Sequence, residues 1–241
     1  MKTNCPVFCY HGVRESPRPW DVSVDEFEKQ VKWLSENYEI LTASQVYNKF
    51  RKGGLPENAA VLTFDDGLKS AYEASKILDK YDVKGTYYII SGLIGQLWEG
   101  EDVMSEDEIR QLSEKGHEIG VHTVSHPELT NLSSDNIDKE IRQSKKKLSD
   151  ITGSETKSLS YPYGDYDEKV VEALRETEIE TAFTTKPSSK PDFDKPYTLP
   201  RLPVFRWHEM SHIRNLAEGK NKLYRNYWYY PISRLKNRAV F

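Results

Sequence analysis

Two adjacent carboxylates, Asp65 and Asp66, stand in the run 63–67 (TFDDG), directly after an apolar segment that is typical of a buried strand. Side chains at the carboxyl end of a parallel strand point into the ligand crevice of an α/β fold. Two like charges repel there unless a cation separates them or one of them is protonated. The run therefore predicts a cation or acid–base site, with a solvated Asp-Asp turn as the alternative.

Two histidines, His122 and His126, lie in the run 122–126 (HTVSH), which follows the strand-like run 117–121. Their spacing of four predicts a helical turn that carries both imidazoles on one face, within reach of one metal ion. With a carboxylate from another strand end, the pair gives two imidazoles, one carboxylate and an open coordination position. That set is typical of a catalytic zinc site.

The runs 63–67 and 122–126 together resemble two motifs of the polysaccharide deacetylases with a NodB-homology domain (carbohydrate esterase family 4). The run 160–164 (SYPYG) is similar to the third motif of that family, Arg-x-Pro-Tyr, and the resemblance spans at least residues 6–203. It implies a single α/β domain, a distorted (β/α) barrel. It also implies metal-dependent removal of acetyl groups from sugars, usually N-acetylhexosamines.

The resemblance also implies a role for individual residues. Asp66, His122 and His126 would bind the metal, and Asp65 would act as the base. The backbone N–H of Tyr163 would complete an oxyanion hole. Zinc is the expected metal, although cobalt, nickel or iron could occupy the same ligands.

Two functional residues of the family pattern are missing at their usual positions, so other residues would have to replace them. Ser160 stands where the family has the arginine that orients the base, and Arg201 is the candidate substitute, with a solvated arginine as the alternative. The late Leu-x-His motif that carries the general acid is missing. His11, at the end of the first predicted strand, is the expected acid, with a structural role as the alternative. His208 is the next candidate if His11 points to solvent.

The run 208–212 (HEMSH) matches the His-Glu-x-x-His pattern of zinc proteases. That pattern needs a third ligand further along the chain, but no Asp, Glu or His follows Glu218. We therefore predict that this run forms an amphipathic helix that binds no metal. A zinc protease is the remote alternative.

Strand-like and helical patterns alternate along the chain, which favours a parallel sheet closed into a barrel. The stretch 186–196 reads as a surface loop. Predicted strands cover 6–9, 59–64, 84–90, 117–121, the residues before 160, and 181–184; predicted helices begin near 23, 44, 70, 105, 137 and 170.

Composition sets further bounds. A chain of 241 residues is long enough for one barrel. Its net charge of −4 does not indicate the positive surface that is typical of nucleic-acid-binding proteins. No apolar stretch is long enough for a transmembrane helix, and the start has no apolar signal core. If Met1 is the natural start, a cytoplasmic location is expected. Cys5 and Cys9 fall on one short strand, so reduced thiols are expected.

The segment 220–241 carries six basic residues, no acidic residue and many aromatic ones. We predict a barrel over 1–219 and a basic aromatic tail over 220–241 that packs on it. Contact between the tail and anionic headgroups or a lipid-linked saccharide is the alternative.

The expected function is metal-dependent removal of an acetyl group from an N-acetylated sugar or saccharide made inside the cell, in surface-polysaccharide biosynthesis. An inactive sugar-binding module of the same fold is the main alternative, because the third motif and the late histidine deviate. An acetylated saccharide is the expected partner, and the sequence leaves the sugar and the oligomeric state open.

Overall fold

The computed structural model describes residues 4–220. Strands and helices alternate through most of this range, as the sequence predicted. The elements are β1 (Val7–Tyr10), α1 (Val24–Asn37), β2 (Glu39–Ile40), α2 (Ala43–Arg51), β3 (Ala59–Phe64), α3 (Lys69–Lys80), β4 (Thr86–Ile89), β5 (Leu97–Trp98), β6 (Glu101–Asp102), α4 (Glu106–Glu114), β7 (Glu118–Val121), α5 (Ser134–Thr152), β8 (Ser158–Ser160), α6 (Glu168–Arg175), β9 (Thr181–Phe183), β10 (Leu202–Pro203) and α7 (Met210–Ala217).

One curled parallel sheet forms the centre of the fold, with the strand order β10-β1-β3-β4-β7-β8-β9 and with β2 paired to β3. A parallel bridge between Phe183 and Leu199 joins β9 to the segment that leads into β10. Since β10 itself pairs with β1, the segment 199–203 links the two edges of the sheet. This architecture confirms the predicted single-domain distorted (β/α) barrel.

The helices cover the sheet through apolar stripes on their inner faces. On α1 the buried residues include Phe27, Val31 and Leu34. At the start of α4, close to the predicted helix start near 105, Ser105 and Glu108 form a capping box. These helices bury one face of each strand and leave the carboxyl ends of the strands to carry the site.

Two further predictions can be compared with the fold, and a third cannot. Cys5 and Cys9 are both buried and are not joined by a disulfide, as expected. No helix in residues 4–220 is long and apolar enough to cross a membrane. The predicted tail lies, after Lys220, outside the described residues.

Candidate active site

The predicted site residues converge at the carboxyl-terminal end of the parallel sheet. Each of several strands contributes a polar side chain at or just beyond its last residue, as expected for an α/β barrel. These residues are His11 after β1, Asp65 and Asp66 after β3, His122 after β7, and Ser160 at the end of β8.

Asp66, His122 and His126 form a group with the geometry of a metal site. Asp66 Oδ1 lies 3.3 Å from His122 Nε2 and 3.6 Å from His126 Nε2. Neighbouring ligands of a tetrahedral ion with bonds of about 2.0–2.2 Å are about 3.4 Å apart, so the spacing fits a divalent cation. The three side chains are buried, and their nitrogen and oxygen donors suit zinc and similar metals.

A hydrogen bond fixes the tautomer of His122. Its Nδ1 lies 2.8 Å from the carbonyl oxygen of Ser160. Because a carbonyl only accepts, Nδ1 carries the proton and Nε2 presents its lone pair toward Asp66. Metal-binding histidines are commonly oriented in this way.

The two histidines do not share a helical turn, so that part of the prediction is wrong. The run 122–126 is irregular, and Thr123 and His126 have left-handed backbone angles, with φ of 66° and 59°. Two consecutive amide groups of the run donate to Glu140 on α5, at 2.8 and 2.9 Å. Tertiary hydrogen bonds to α5, rather than helical periodicity, therefore bring the imidazoles together.

Asp65 is paired with Arg201. The Nη1 and Nη2 groups donate to Asp65 Oδ1 and Oδ2, both at 2.7 Å, and Arg201 is 0% exposed. The solvated-arginine alternative is therefore wrong. Ser160 bridges the pair, because its hydroxyl accepts from Arg201 at 2.8 Å and donates to Asp65 at 3.1 Å. The serine at the family's arginine position thus contacts both partners.

Three other residues complete this arrangement, and the sequence analysis assigned them no such role. Arg201 Nε donates to the Thr184 carbonyl, and Nη1 donates to Thr63 Oγ1, both at 3.1 Å. The Cys9 thiol lies 3.7 Å from Asp65 Oδ2. Of these three residues, Thr63 is the one that the sequence could have pointed to, because it is a polar residue inside an apolar strand.

Electrostatics keep both members of the pair charged. Burial alone would raise the pKa of Asp65, but the charge of Arg201 outweighs it and holds the pKa well below its usual range. Burial would lower the pKa of Arg201, and the charge of Asp65 instead raises it. Asp65 is therefore an ionised carboxylate next to the metal-site group.

His11 lies beside Asp65. A ring nitrogen of His11, the Cys9 thiol and an Asp65 oxygen are all within 4.8 Å of one another. Arg201 already binds both Asp65 oxygens, so its charge opposes a cation at this second group. The loop after His11 is fixed by Asp21, which accepts from the Gly12 N–H at 3.1 Å.

Tyr163 occupies a strained turn beside the metal-site group. Its φ is 59°, and its ring centroid lies 4.7 Å from that of His126. The next residue, Gly164, has a φ of +74°, and a Cβ there would lie 1.9 Å from Thr185 Oγ1. Only glycine fits this position, so the turn that directs the Tyr163 backbone is sterically fixed.

The run 208–212 does not form a metal site within the described residues. Glu209 is the N-cap of α7, so His208 precedes the helix, and the predicted helix begins later than the motif suggested. His208 is buried and its Nδ1 accepts from the Phe205 N–H at 3.3 Å. Neither of the two candidate metal groups found in residues 4–220 includes it. The protease alternative has no structural support.

Comparisons with known proteins agree with this geometry. The family model for polysaccharide deacetylase matches residues 52–182. A Bacillus subtilis protein described as a polysaccharide deacetylase, YxkH, is 30% identical over 202 residues, which cover 83% of this chain and 71% of the relative. The poly-β-1,6-N-acetyl-D-glucosamine N-deacetylase of Staphylococcus aureus is 28% identical over 198 residues, covering 76% and 67%.

A solved structure supports the same fold. The Streptococcus pyogenes deacetylase PplD, in complex with acetate, aligns with a TM-score of 0.81 at 24% identity, covering 90% of this chain and 98% of that one. The chain belongs to the polysaccharide deacetylase family, a family of hydrolases.

Proposed function

We propose that this protein uses a divalent metal ion to remove acetyl groups from the nitrogen atoms of a saccharide. The observation that carries the proposal is the adjacency of two groups, the Asp66–His122–His126 set and the ionised Asp65–Arg201 pair. The Staphylococcus aureus relative, which is named for N-deacetylation of poly-β-1,6-N-acetyl-D-glucosamine, supports an N-acetylhexosamine polymer as the substrate class.

Asp66, His122 and His126 would hold the ion, with zinc as the expected metal. When bound, such an ion polarises the acetyl carbonyl and lowers the pKa of water to about 7. The His122 hydrogen bond to Ser160 supports this assignment, because it leaves Nε2 available as a ligand.

Asp65 would act as the base. It accepts a proton from water as the water oxygen forms its bond to the acetyl carbon. Arg201 and Ser160 hold the carboxylate in one orientation through three hydrogen bonds, which supports a positioned base over a mobile one.

His11 and Tyr163 would complete the reaction. The Tyr163 N–H donates to the acetyl oxygen as negative charge develops there. His11 gives a proton to the nitrogen as the C–N bond breaks, so that acetate and the free amine are released. The partial exposure of His11 and its position beside Asp65 support this role.

The inactive sugar-binding module is the second candidate, and Ser160 motivated it. The contact between Arg201 and Asp65 weakens this reason for inactivity, because an arginine does reach the carboxylate. The contact between the basic tail and a lipid-linked saccharide stays a prediction, since residues 221–241 lie outside the described part of the chain.

Acetate release from an N-acetylglucosamine pentamer tests the proposal. We expect release by the zinc-loaded enzyme and its loss in Asp65→Asn, with zinc still bound at the wild-type stoichiometry. Asp107→Asn, which alters an exposed carboxylate on α4, is the matched control. Zinc binding without acetate release from N- or O-acetylated saccharides would favour the sugar-binding module.

A further inference from the structure

Three tryptophans lie at the carboxyl-terminal end of the sheet, outside the apolar core. Of the tryptophans in residues 4–220, Trp33 packs against the core, whereas Trp20, Trp98 and Trp207 belong to neither apolar cluster. Trp207 is 41% exposed. A large aromatic side chain that does not stabilise the core and remains near solvent is a candidate for ligand binding.

These tryptophans sit on three segments that hydrogen bonds join into one rim. Trp98 is on the hairpin β5–β6, Trp20 is on the loop between β1 and α1, and Trp207 follows β10. We call these segments the aromatic rim. Arg18 on the loop donates to the carbonyl of Glu99 in the hairpin at 2.8 Å. Pro19, also on the loop, accepts from the backbone N–H of Arg206 at 3.2 Å.

Ion pairs strengthen the junction between the hairpin and the loop. Glu101 of β6 contacts both Arg14 and Arg18. The same carboxylate accepts from the Ser70 N–H at 2.8 Å, which ties the hairpin to α3. Asp21 accepts from Arg18 at 2.8 Å and anchors the loop. These contacts fix the three segments of the rim relative to one another.

The hairpin brings Trp98 to the metal-site group. The Trp98 and His126 ring centroids are 5.5 Å apart. The neighbouring Leu97 is 67% exposed, so the apolar surface continues from the site toward solvent. At the other end of the rim, Trp207 stacks on Phe205 with ring centroids 5.0 Å apart.

We propose that the aromatic rim binds the hexose units next to the one that is deacetylated, with Trp98 as the principal contact. The C–H bonds on one face of a pyranose ring form an apolar, weakly positive surface that complements the π face of indole. A rim that extends beyond the metal-site group selects an oligosaccharide over a monosaccharide. The inference rests on the proposed function, because it takes the hexosamine polymer as the ligand.

Calorimetric binding of β-1,4- and β-1,6-linked N-acetylglucosamine pentamers tests the rim without requiring turnover. In a zinc-loaded Asp65→Asn background, which is expected to keep zinc without hydrolysing the substrate, we expect Trp98→Ala to weaken binding of the preferred pentamer about 10-fold, and Trp207→Ala to weaken it less. Trp33→Phe, at the tryptophan that packs against the core, should bind as the wild type does.

A second readout separates substrate binding from support of the metal site. Hydrolysis of 4-nitrophenyl acetate needs no neighbouring hexose, so the esterase rate of Trp98→Ala should fall much less than its affinity for the pentamer, and its zinc stoichiometry should stay that of the wild type. Loss of zinc in Trp98→Ala, or a fall in its esterase rate as large as the fall in its pentamer affinity, would assign the residue to His126 positioning and overturn the proposal. Unchanged pentamer binding in Trp98→Ala, or no pentamer binding by the wild type, would also overturn it.

The same data distinguish the two proposals. If the wild type binds a pentamer but releases no acetate, deacetylation fails, and the effect of Trp98→Ala on binding still decides the role of the rim.

Discussion

Arg201 donates to both carboxylate oxygens of Asp65 at 2.7 Å, although it lies 41 residues beyond the position at which the family motif carries its arginine. Ser160 occupies the motif position and hydrogen-bonds to both members of the pair. The guanidinium thus reaches Asp65 from the segment before β10 instead of from the end of β8. This exchange keeps the positive charge next to the carboxylate but supplies it from a different segment of the chain.

Removing the guanidinium should affect stability and turnover together. Arg201→Ala leaves a buried carboxylate without its counter-charge, and we expect a loss of about 3–5 kcal/mol in the free energy of unfolding. Urea denaturation at pH 7 measures this loss, and acetate release should fall to background. Ser160→Ala removes one hydroxyl and is the control, with an expected loss of about 1 kcal/mol. Equal losses in the two variants would contradict the ion-pair account.

His11→Ala should slow deacetylation in a way that depends on the leaving group. An amine needs a proton to leave, so kcat for the pentamer should fall about 10²–10⁴-fold. The nitrophenolate of 4-nitrophenyl acetate leaves without protonation, and its rate should change little. His212→Ala, on α7, is the control. A parallel loss on both substrates would show that His11 supports the site in some other way.

Gly164→Ala tests the turn that holds the Tyr163 N–H. The added Cβ would clash with Thr185, so we expect kcat to fall about 10²–10³-fold, as for loss of one oxyanion donor. Gly153 has a similar φ of +68° with no atom within 4 Å of the added Cβ. Gly153→Ala therefore introduces similar backbone strain without the clash and should keep wild-type kcat. Similar kcat values in the two variants would exclude a role for this turn.

Two buried histidines should make the fold sensitive to acid. Burial lowers the pKa of His117 to about 4 against the opposing charge of Asp79, and burial with the charge of His212 lowers that of His208 to about 4. Unfolded histidine titrates near 6.5, so the unfolded state binds more protons between these values. The contribution of each histidine to the free energy of unfolding is therefore fully present above pH 6.5. It is lost as the pH drops toward 4, by on the order of 3 kcal/mol per histidine.

His117→Asn isolates one of these contributions. Its Oδ1 can replace His117 Nδ1, which accepts from the Gly85 N–H at 3.0 Å, but it does not titrate. Urea denaturation from pH 4 to 8 should give a shallower pH dependence for this variant. An unchanged slope would show that His117 does not titrate differently in the folded and unfolded states.

The sequence predicted the barrel and the convergence of the metal-site residues because both depend on local patterns. Alternating strand and helix signals give a parallel sheet, and residues after parallel strands meet at one end. The helical turn at 122–126 was predicted wrongly. A spacing of four fits a helix, but two backbone amides of this run donate hydrogen bonds to Glu140, which lies on a helix later in the chain.

The surroundings of Asp65 could be predicted only in part. Arg201 was a candidate because it was an arginine on a late strand-like run. The contributions of Thr63, Thr184 and Cys9 depend on strand order, since β1 lies between β10 and β3. Strand order is set by tertiary packing, and no residue spacing in the sequence encodes it.

Acetate release during zinc reconstitution tests the central claim most directly. Protein stripped with a chelator is titrated with zinc while acetate release from an N-acetylglucosamine pentamer is measured. We expect no release without metal, and activity that rises to a plateau at one zinc per chain. Asp66→Ala should lose both tight zinc binding and activity. Undiminished acetate release by the stripped protein, or wild-type activity in Asp66→Ala, would contradict the account.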